Sequence, residues 1–498
     1  MKTNTLEFDA QALREKILDL AMRGKLVPQD PNDEPASVLL KKIKAEKEKL
    51  IKEKKIKKSK PLAPISDNEK PFDIPDSWEW VRLGDAANFI GTGMVVPSSQ
   101  QYKDLEDETM IPYFKMNNIG NWNGEFDLTN IVYIKKNEKV DKYLISSDEL
   151  LFNTRNSREL VGKTTVVPTI NKRIVANNNI LRITTFGNIQ TKFLNYILIS
   201  PYGKNLFFNL TTATTNVAAI YQKQLREIMI PLPPLEEQSR IAAKIAQLFA
   251  LLRKVESSTQ QYAKLQTLLK SKVLDLAMRG KLVKQDPNDE PASELLKKIK
   301  AEKAELIKEK KIKKSKPLPP ITDEEKPFDI PASWEWVRFD DILDVRDGTH
   351  DTPKYVSDGI PLITSKNISS GYLDFINVKY ISQQDFKKIN ERSNVNKGDI
   401  IFAMIGTIGN PILVSTDRKF AIKNVALLKK VTERLSMPFV LDYLMIAQIW
   451  WNKRATGAVQ KFVSLRKIRS SLLPLPPLKE QNRIVNKIKK ILTYEKEN

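Results

Sequence analysis

The chain has 498 residues, no cysteine and one histidine, and its 82 Lys and Arg against 60 Asp and Glu give a formal net charge of +22. Without cysteine there is no disulfide framework, thiolate metal site or thiol nucleophile; with His350 alone there is no multi-histidine metal site, and a Ser-His-Asp triad has a single residue to be built on. A composition of 41% hydrophobic and 29% charged residues is that of a soluble globular protein, long enough for about two to four domains, and its positive excess favours a polyanionic partner, nucleic acid first.

Met1 to Gly24 mixes charge with apolar residues and lacks the apolar stretch of a secretory signal, and no uncharged apolar run is long enough to span a bilayer, which points to the cytoplasm. The first predicted element is a helix at about Asp9 to Arg23. A basic helical arm follows, with 11 Lys and 3 Glu between Leu39 and Lys60. Such a run either neutralises phosphates or is a solvated helix face whose Leu and Ile pack on a neighbour. Glu53-Lys54-Lys55 has the residue types of part of a nuclease site, but in so lysine-rich a segment it reads as helix. Trp78 and Trp80, in an Ile-Pro-Asp-Ser-Trp-Glu-Trp-Val frame, are placed at the boundary of the next domain as core.

From Trp80 to Met229, β-branched and aromatic runs broken by Gly, Asn and Pro predict a mixed α/β globule. Gly162-Lys163-Thr164 lacks the upstream glycine of a phosphate loop, since Ser157 stands there, so it is not read as one. Loops suited to reading DNA by residue type are Lys115 to Asn118, Asn153 to Arg158 and Thr211 to Asn216, because Asn and Gln pair with adenine and Arg and Lys with guanine in the major groove. Their candidates are Lys115, Asn117, Asn118, Asn153, Arg155, Asn156, Arg158, Thr214 and Asn216.

After Pro233-Pro234, apolar positions Ile241, Ile245, Leu248, Leu252, Val255, Tyr262, Leu269, Val273 and Leu276 step by fours and threes, with polar Thr259 and Gln266 filling the two gaps, the pattern of a coiled-coil helix from Leu235 to Arg279, about 65 Å long. The chain then repeats itself. Between Leu18 and Arg82, the copy 256 residues on differs at eight of 65 positions, and PLPPLEEQSR at Pro231 returns as PLPPLKEQNR at Pro474. The second arm, Leu295 to Lys316, has 10 Lys and 3 Glu. The second globule, about Trp336 to Leu472, shares only scattered landmarks with the first: Ile111-Pro112 and Ile360-Pro361, Asn118-Ile119 and Asn367-Ile368, Leu150-Leu151-Phe152 and Ile400-Ile401-Phe402, Asn179 and Asn424. Its candidate readers are Thr349, His350, Thr364, Ser365, Lys366, Asn367, Thr456, Gln460 and Lys461. A helix from about Lys479 to Tyr494 closes the chain. The two end helices each match part of the central one, so the arrangement is close to circular.

The frames LDLAMRGKLVxQDPNDEPAS, IPxSWEWVR and PLPPLxEQxRI, each present twice and in this order, resemble the specificity (S) subunit of type I restriction-modification enzymes over essentially the whole chain. The resemblance implies two α/β target recognition domains separated by an antiparallel coiled coil with pseudo-twofold symmetry. The divisions are then an N-terminal helix (1–27), a basic arm (28–74), one recognition domain (75–234), a central helix (235–283), a second arm (284–330), a second recognition domain (331–477) and a C-terminal helix (478–498). It further implies a non-catalytic chain that reads a bipartite site on double-stranded DNA and docks two methyltransferase and two restriction subunits. S-adenosylmethionine, ATP and Mg2+ would be bound by those partners, and this chain would hold no cofactor, metal or catalytic residue. A duplicated RNA-binding or scaffold protein is the alternative that composition leaves open.

Overall fold

A computed structural model of the chain describes residues 8–213, 217–405, 408–454 and 462–497. The described residues divide into two compact units, 8–260 and 261–497. Each is mixed α/β, and a 44-residue helix, Leu235–Met278, begins in the first and ends in the second.

In the first unit the N-terminal helix, Ala10–Met22, starts where the Asp9 carboxylate accepts from Ala12 N at 2.9 Å, satisfying an otherwise orphaned donor. It stops at Gly24, where φ is +65° and an added Cβ would lie 2.4 Å from Pro75 Cγ, so both the turn and the close approach demand glycine. Arg14 pairs with Glu256, while Gln29, beyond the helix end, meets Glu237. One contact moves up the chain as the other moves down, so the N-terminal helix lies antiparallel to the first half of the central helix. Leu18, Ala21 and Met22 pack with Ile241, Ile245, Phe249 and Leu252 in one buried cluster. The arm helix, Ala36–Lys52, buries Leu39 and Ile43 and leaves most of its lysines in solvent.

The α/β module of this unit is closed by its own ends, Glu79–Arg82 pairing antiparallel with Met229–Leu232. Its larger sheet runs Ala87–Thr92, Ile180–Thr185, Leu150–Asn153, Thr164–Val166, all antiparallel. A second sheet sets Met110–Phe114 between antiparallel Val132–Lys135 and parallel Val175–Ala176. Leu150, Phe152, Leu181 and Ile183 face the helical side, while Leu151 and Ile180 enter a separate cluster with Phe114 and Ile174, the period-two division expected of strands buried on both faces.

The second unit repeats the plan. Val273, Leu274, Ala277 and Met278 of the central helix pack with Ile484, Val485 and Ile488 of the C-terminal helix, Leu478–Glu497. Glu335–Arg338 pairs with Leu472–Leu475, and the larger sheet runs Leu343–Asp347, Val425–Lys430, Ile400–Ala403, Gly409–Leu413. The second sheet again holds a parallel pair, Ile360–Ile363 with Ala421–Ile422, and adds an edge strand, Tyr355–Val356. Asn179 and Asn424 stand immediately before the matching strands, as their order in the sequence suggested.

Three repeated sequence frames explain one another in this fold. The Glu237 carboxylate accepts from Trp78 Nε1 at 2.9 Å and from Gln29 Nε2; Gln238 accepts from Gln190 N and donates to Pro233 O; Arg240 pairs with Asp33. In the second unit Glu480 holds Trp334 and Gln285, Gln481 holds Ser436 N and Pro476 O, and Arg483 pairs with Asp289. Trp78, Trp80, Trp334 and Trp336 are all buried, as core aromatics. The heptad pattern is used unevenly. Ile241, Ile245, Leu252 and Val273 are buried, but Val255, Tyr262 and Leu269, with Leu251, Leu265 and Leu268, are 40–65% exposed. The partner helices, Ala10–Met22 and Leu478–Glu497, are each less than half the length of the central one, and the buried clusters they join reach only to Leu252 from one end and to Val273 from the other.

Candidate nucleic-acid interface

Both modules gather their variable loops at one edge, where the parallel strand pair ends. In the first, Asn177 N donates to Phe114 O at 2.8 Å, which sets Lys115 beside Asn177–Asn179. Thr154 N donates to Asn179 O at 2.9 Å, bringing in the turn after Asn153, and Arg155 and Asn156 pair with Ala219 and Ala218. In the second, Lys423 N donates to Ile363 O at 2.9 Å and Thr349 N to Ile422 O at 3.0 Å, so Thr349, His350, Thr364 and Lys423–Asn424 share an edge. Val463 N donates to Met404 O at 2.9 Å and draws the segment at Phe462 to the end of the neighbouring strand.

The candidate readers separate by burial. Asn117, Arg155, Arg158, His350 and Lys366 are exposed, and Lys115, Asn156, Thr349, Thr364 and Ser365 are half-buried. Asn118, Asn153 and Asn367 are buried, with 5% exposure or less, and their amides shape the loops instead. Asn118 Oδ1 accepts from Lys115 N, Asn153 Oδ1 from Arg155 N, and Asn367 Oδ1 from Thr364 N and Oγ1. Asn and Thr in a loop serve turn geometry as readily as base edges, and residue type does not separate the two uses. Thr214, Asn216, Thr456, Gln460 and Lys461 lie outside the described residues.

Charge and stacking organise the exposed set. Arg158 lies over the Phe208 ring, 4.0 Å from its centroid. Lys115 Nζ bonds Gln101 Oε1 at 2.8 Å. His350 is held on both nitrogens, Nε2 to Asp347 Oδ2 at 2.9 Å and Nδ1 to Asn424 Oδ1 at 3.0 Å, and the buried Asp347 also pairs with Arg392. Lys163, of the Gly162-Lys163-Thr164 sequence, is buried; its ammonium donates to Ile119 O and Asn121 Oδ1, and burial pushes its pKa down. It braces a loop and does not face a phosphate site. Glu53-Lys54-Lys55 ends the arm helix, Lys54 at φ +56° and Glu53 paired with Lys55. Among the described residues no His, Cys, Asp or Glu side chains are grouped to hold a metal ion, and no helix is long and apolar enough to cross a membrane.

The model of the type I restriction modification DNA specificity domain matches the chain twice, over residues 75–266 and 331–497, in each case an α/β module with the helix that follows it. The chain belongs to this family. It is similar to the EcoAI type I restriction enzyme specificity subunit of Escherichia coli, at 33% identity over 97% of this chain and 89% of that one. It also resembles the EcoEI specificity subunit of Escherichia coli, at 36% identity over 68% of this chain and 62% of that one. A chain from a solved structure describing complex assembly and conformational transition of the type I R-M system shares the fold at a TM-score of 0.58, with 19% identity over 86% of this chain and 94% of that one. As a specificity subunit, the protein recognises DNA and is not itself catalytic.

Val95 also stands at this strand-end edge, although its residue type does not suit it to pairing with bases. It follows Met94, which pairs with Asn177, and is 71% exposed. No sequence pattern marks it, because a valine among strands is ordinarily core.

Proposed function

We propose that this specificity subunit reads a bipartite double-stranded DNA site, one part with each recognition domain, 75–234 and 331–477, and that the helix between them sets the unspecified gap. The observation that carries this reading is the same strand-end edge built twice, with different exposed side chains on each. Lys115, Asn117, Arg155, Asn156 and Arg158 contact one part of the site; Thr349, His350, Thr364, Ser365 and Lys366 contact the other. A 44-residue helix is about 66 Å long, enough to place two readers in grooves that recur every 34 Å or so.

The helices of 1–27, 235–283 and 478–498 dock two methyltransferase subunits, and two restriction subunits complete the nuclease. S-adenosylmethionine, ATP and Mg2+ belong to those partners, which carry out adenine-N6 methylation and ATP-driven restriction in the cytoplasm. Because the methylated base must leave the stack to enter a partner's pocket, each domain holds and bends the duplex as well as reading it.

Mapping methylated adenines genome-wide, with the chain co-expressed with its methyltransferase, tests this directly. Two short constant parts separated by a fixed gap are expected. Duplicating a heptad between Leu251 and Leu269 changes the gap and leaves both constant parts as they were; altered constant parts with an unchanged gap would overturn the ruler.

A further inference from the structure

The two modules present different side chains from one structural position. In the first, Gly93 N donates to Ile180 O at 3.0 Å, Met94 N to Ala176 O at 2.7 Å, and Asn178 N to Met94 O at 3.0 Å. In the second, Gly348 N donates to Val425 O at 2.9 Å, Thr349 N to Ile422 O at 3.0 Å, and Asn424 N to Thr349 O at 3.2 Å. These bonds match Gly93-Met94 with Gly348-Thr349, so Val95 corresponds to His350. The same close approach dictates both glycines: an added Cβ would lie 2.2 Å from Ala176 O in one and 2.4 Å from Ile422 O in the other.

Both residues face solvent, Val95 at 71% and the His350 side chain at 56% exposure. Both are also braced. Met94 O accepts a second bond, from the buried Tyr113 hydroxyl at 2.7 Å, and Asn177 Nδ2 donates to that hydroxyl at 2.7 Å. Gln101 Nε2 donates to Val96 O at 2.8 Å, so the backbone is fixed on either side of Val95. His350 is fixed through its ring, between Asp347 and Asn424. An exposed side chain ordered before contact loses little further freedom on binding, which is the property of a pre-organised reader.

We infer that Val95 and His350 are equivalent specificity-determining positions, at which one module reads the thymine methyl by apolar contact and the other reads a base edge through the amide nitrogen of Asn424, whose orientation His350 Nδ1 fixes. The C5-methyl of thymine is the apolar group on major-groove base edges, and an isolated, rigidly held valine on a DNA-facing edge is its complement. The inference rests on the reading of the two modules as half-site readers.

The test is methylation mapping with the full chain in its methyltransferase complex, comparing Val95→Ser, Val95→Ile and His350→Val with wild type. Val95→Ser relaxes the preference at one A·T pair in one constant part by roughly tenfold, Val95→Ile retains it, and His350→Val alters one base pair in the other part only. A uniform fall in methylation at an unchanged motif, or a change in both parts at once, overturns the inference and makes these residues structural. A wild-type split motif that every variant preserves removes this inference and leaves the half-site reading standing. A continuous wild-type motif, or none, takes both down.

Discussion

Glu237 and Glu480 stand in the two units with the same partners, a tryptophan Nε1 and a glutamine from the Gln-Asp-Pro-Asn-Asp-Glu-Pro turn, whereas Val95 and His350, matched just as closely in backbone, share no chemistry. The contrast separates two demands on one chain. Frame residues are chosen by neighbours that are themselves repeated, so a change at one requires a change at the other. On the proposed reading, edge residues answer to a partner outside the chain, so they diverge once each module has its own target.

If the two frames do the same work, removing the shared carboxylate destabilises both units equally. Glu237→Ala and Glu480→Ala each leave a buried tryptophan donor without an acceptor and take from a glutamine amide one of its two acceptors, the other being Gly24 O or Gly280 O, and each is expected to cost about 2–4 kcal/mol in denaturant unfolding. A large effect in one unit and none in the other would show that the frames, alike in sequence, do different work. Gly93→Ala and Gly348→Ala come next, at about 1–3 kcal/mol each, because the atoms in the way are backbone carbonyls that cannot rotate aside. A silent substitution at either position, measured by the same unfolding, would remove the argument that the close approach fixes the reading position.

Outside the repeated frames the two units also differ in their buried charges. Asp442 is half-buried in the second unit; desolvation pushes its pKa up to about 7, against the opposing pull of Lys489 and Lys270. Its folded value lies above its unfolded value of 3.8, so its contribution to stability is fully present below about pH 4 and is lost as pH rises through 7. Asp442→Asn therefore raises stability at pH 8 by roughly 1–3 kcal/mol and leaves it unchanged near pH 3.5, as thermal unfolding across that range would show. A constant difference at all pH values would mean that packing, not ionisation, is responsible. At the small end, Glu34→Gln and Glu290→Gln break the exposed pairs with Lys42 and Lys298 and should each cost less than about 0.5 kcal/mol.

The lysine-rich arms show how much near-identical sequence leaves open. Lys47 and Lys303 occupy the same place in the repeat, yet Lys47 is half-buried against Asp85 while Lys303 is buried, its ammonium held by Leu343 O and its pKa lowered by desolvation. Their neighbours on the helix are mostly solvent-exposed, so neither the phosphate-binding nor the packing reading of a lysine run holds for every residue in it. The heptads mislead in a similar way. Spacing identified one helix correctly, but burial along it follows where partner helices lie, and Val255, Tyr262 and Leu269 have none against them within their unit.

The sequence by itself determined the duplicated plan, the long helix, the mixed α/β modules and the family, because repeats, proline and glycine punctuation and hydrophobic spacing are local properties that survive without coordinates. Tertiary structure alone decided which loop residues face outward. Asn118, Asn153 and Asn367 carry the right chemistry for bases but close turns, while Val95 carries the chemistry of a core and stands exposed at the strand-end edge. The reason is physical: a side chain's availability depends on which backbone groups need its hydrogen bonds and which strands pass beneath it, and both are set by contacts far apart in the chain.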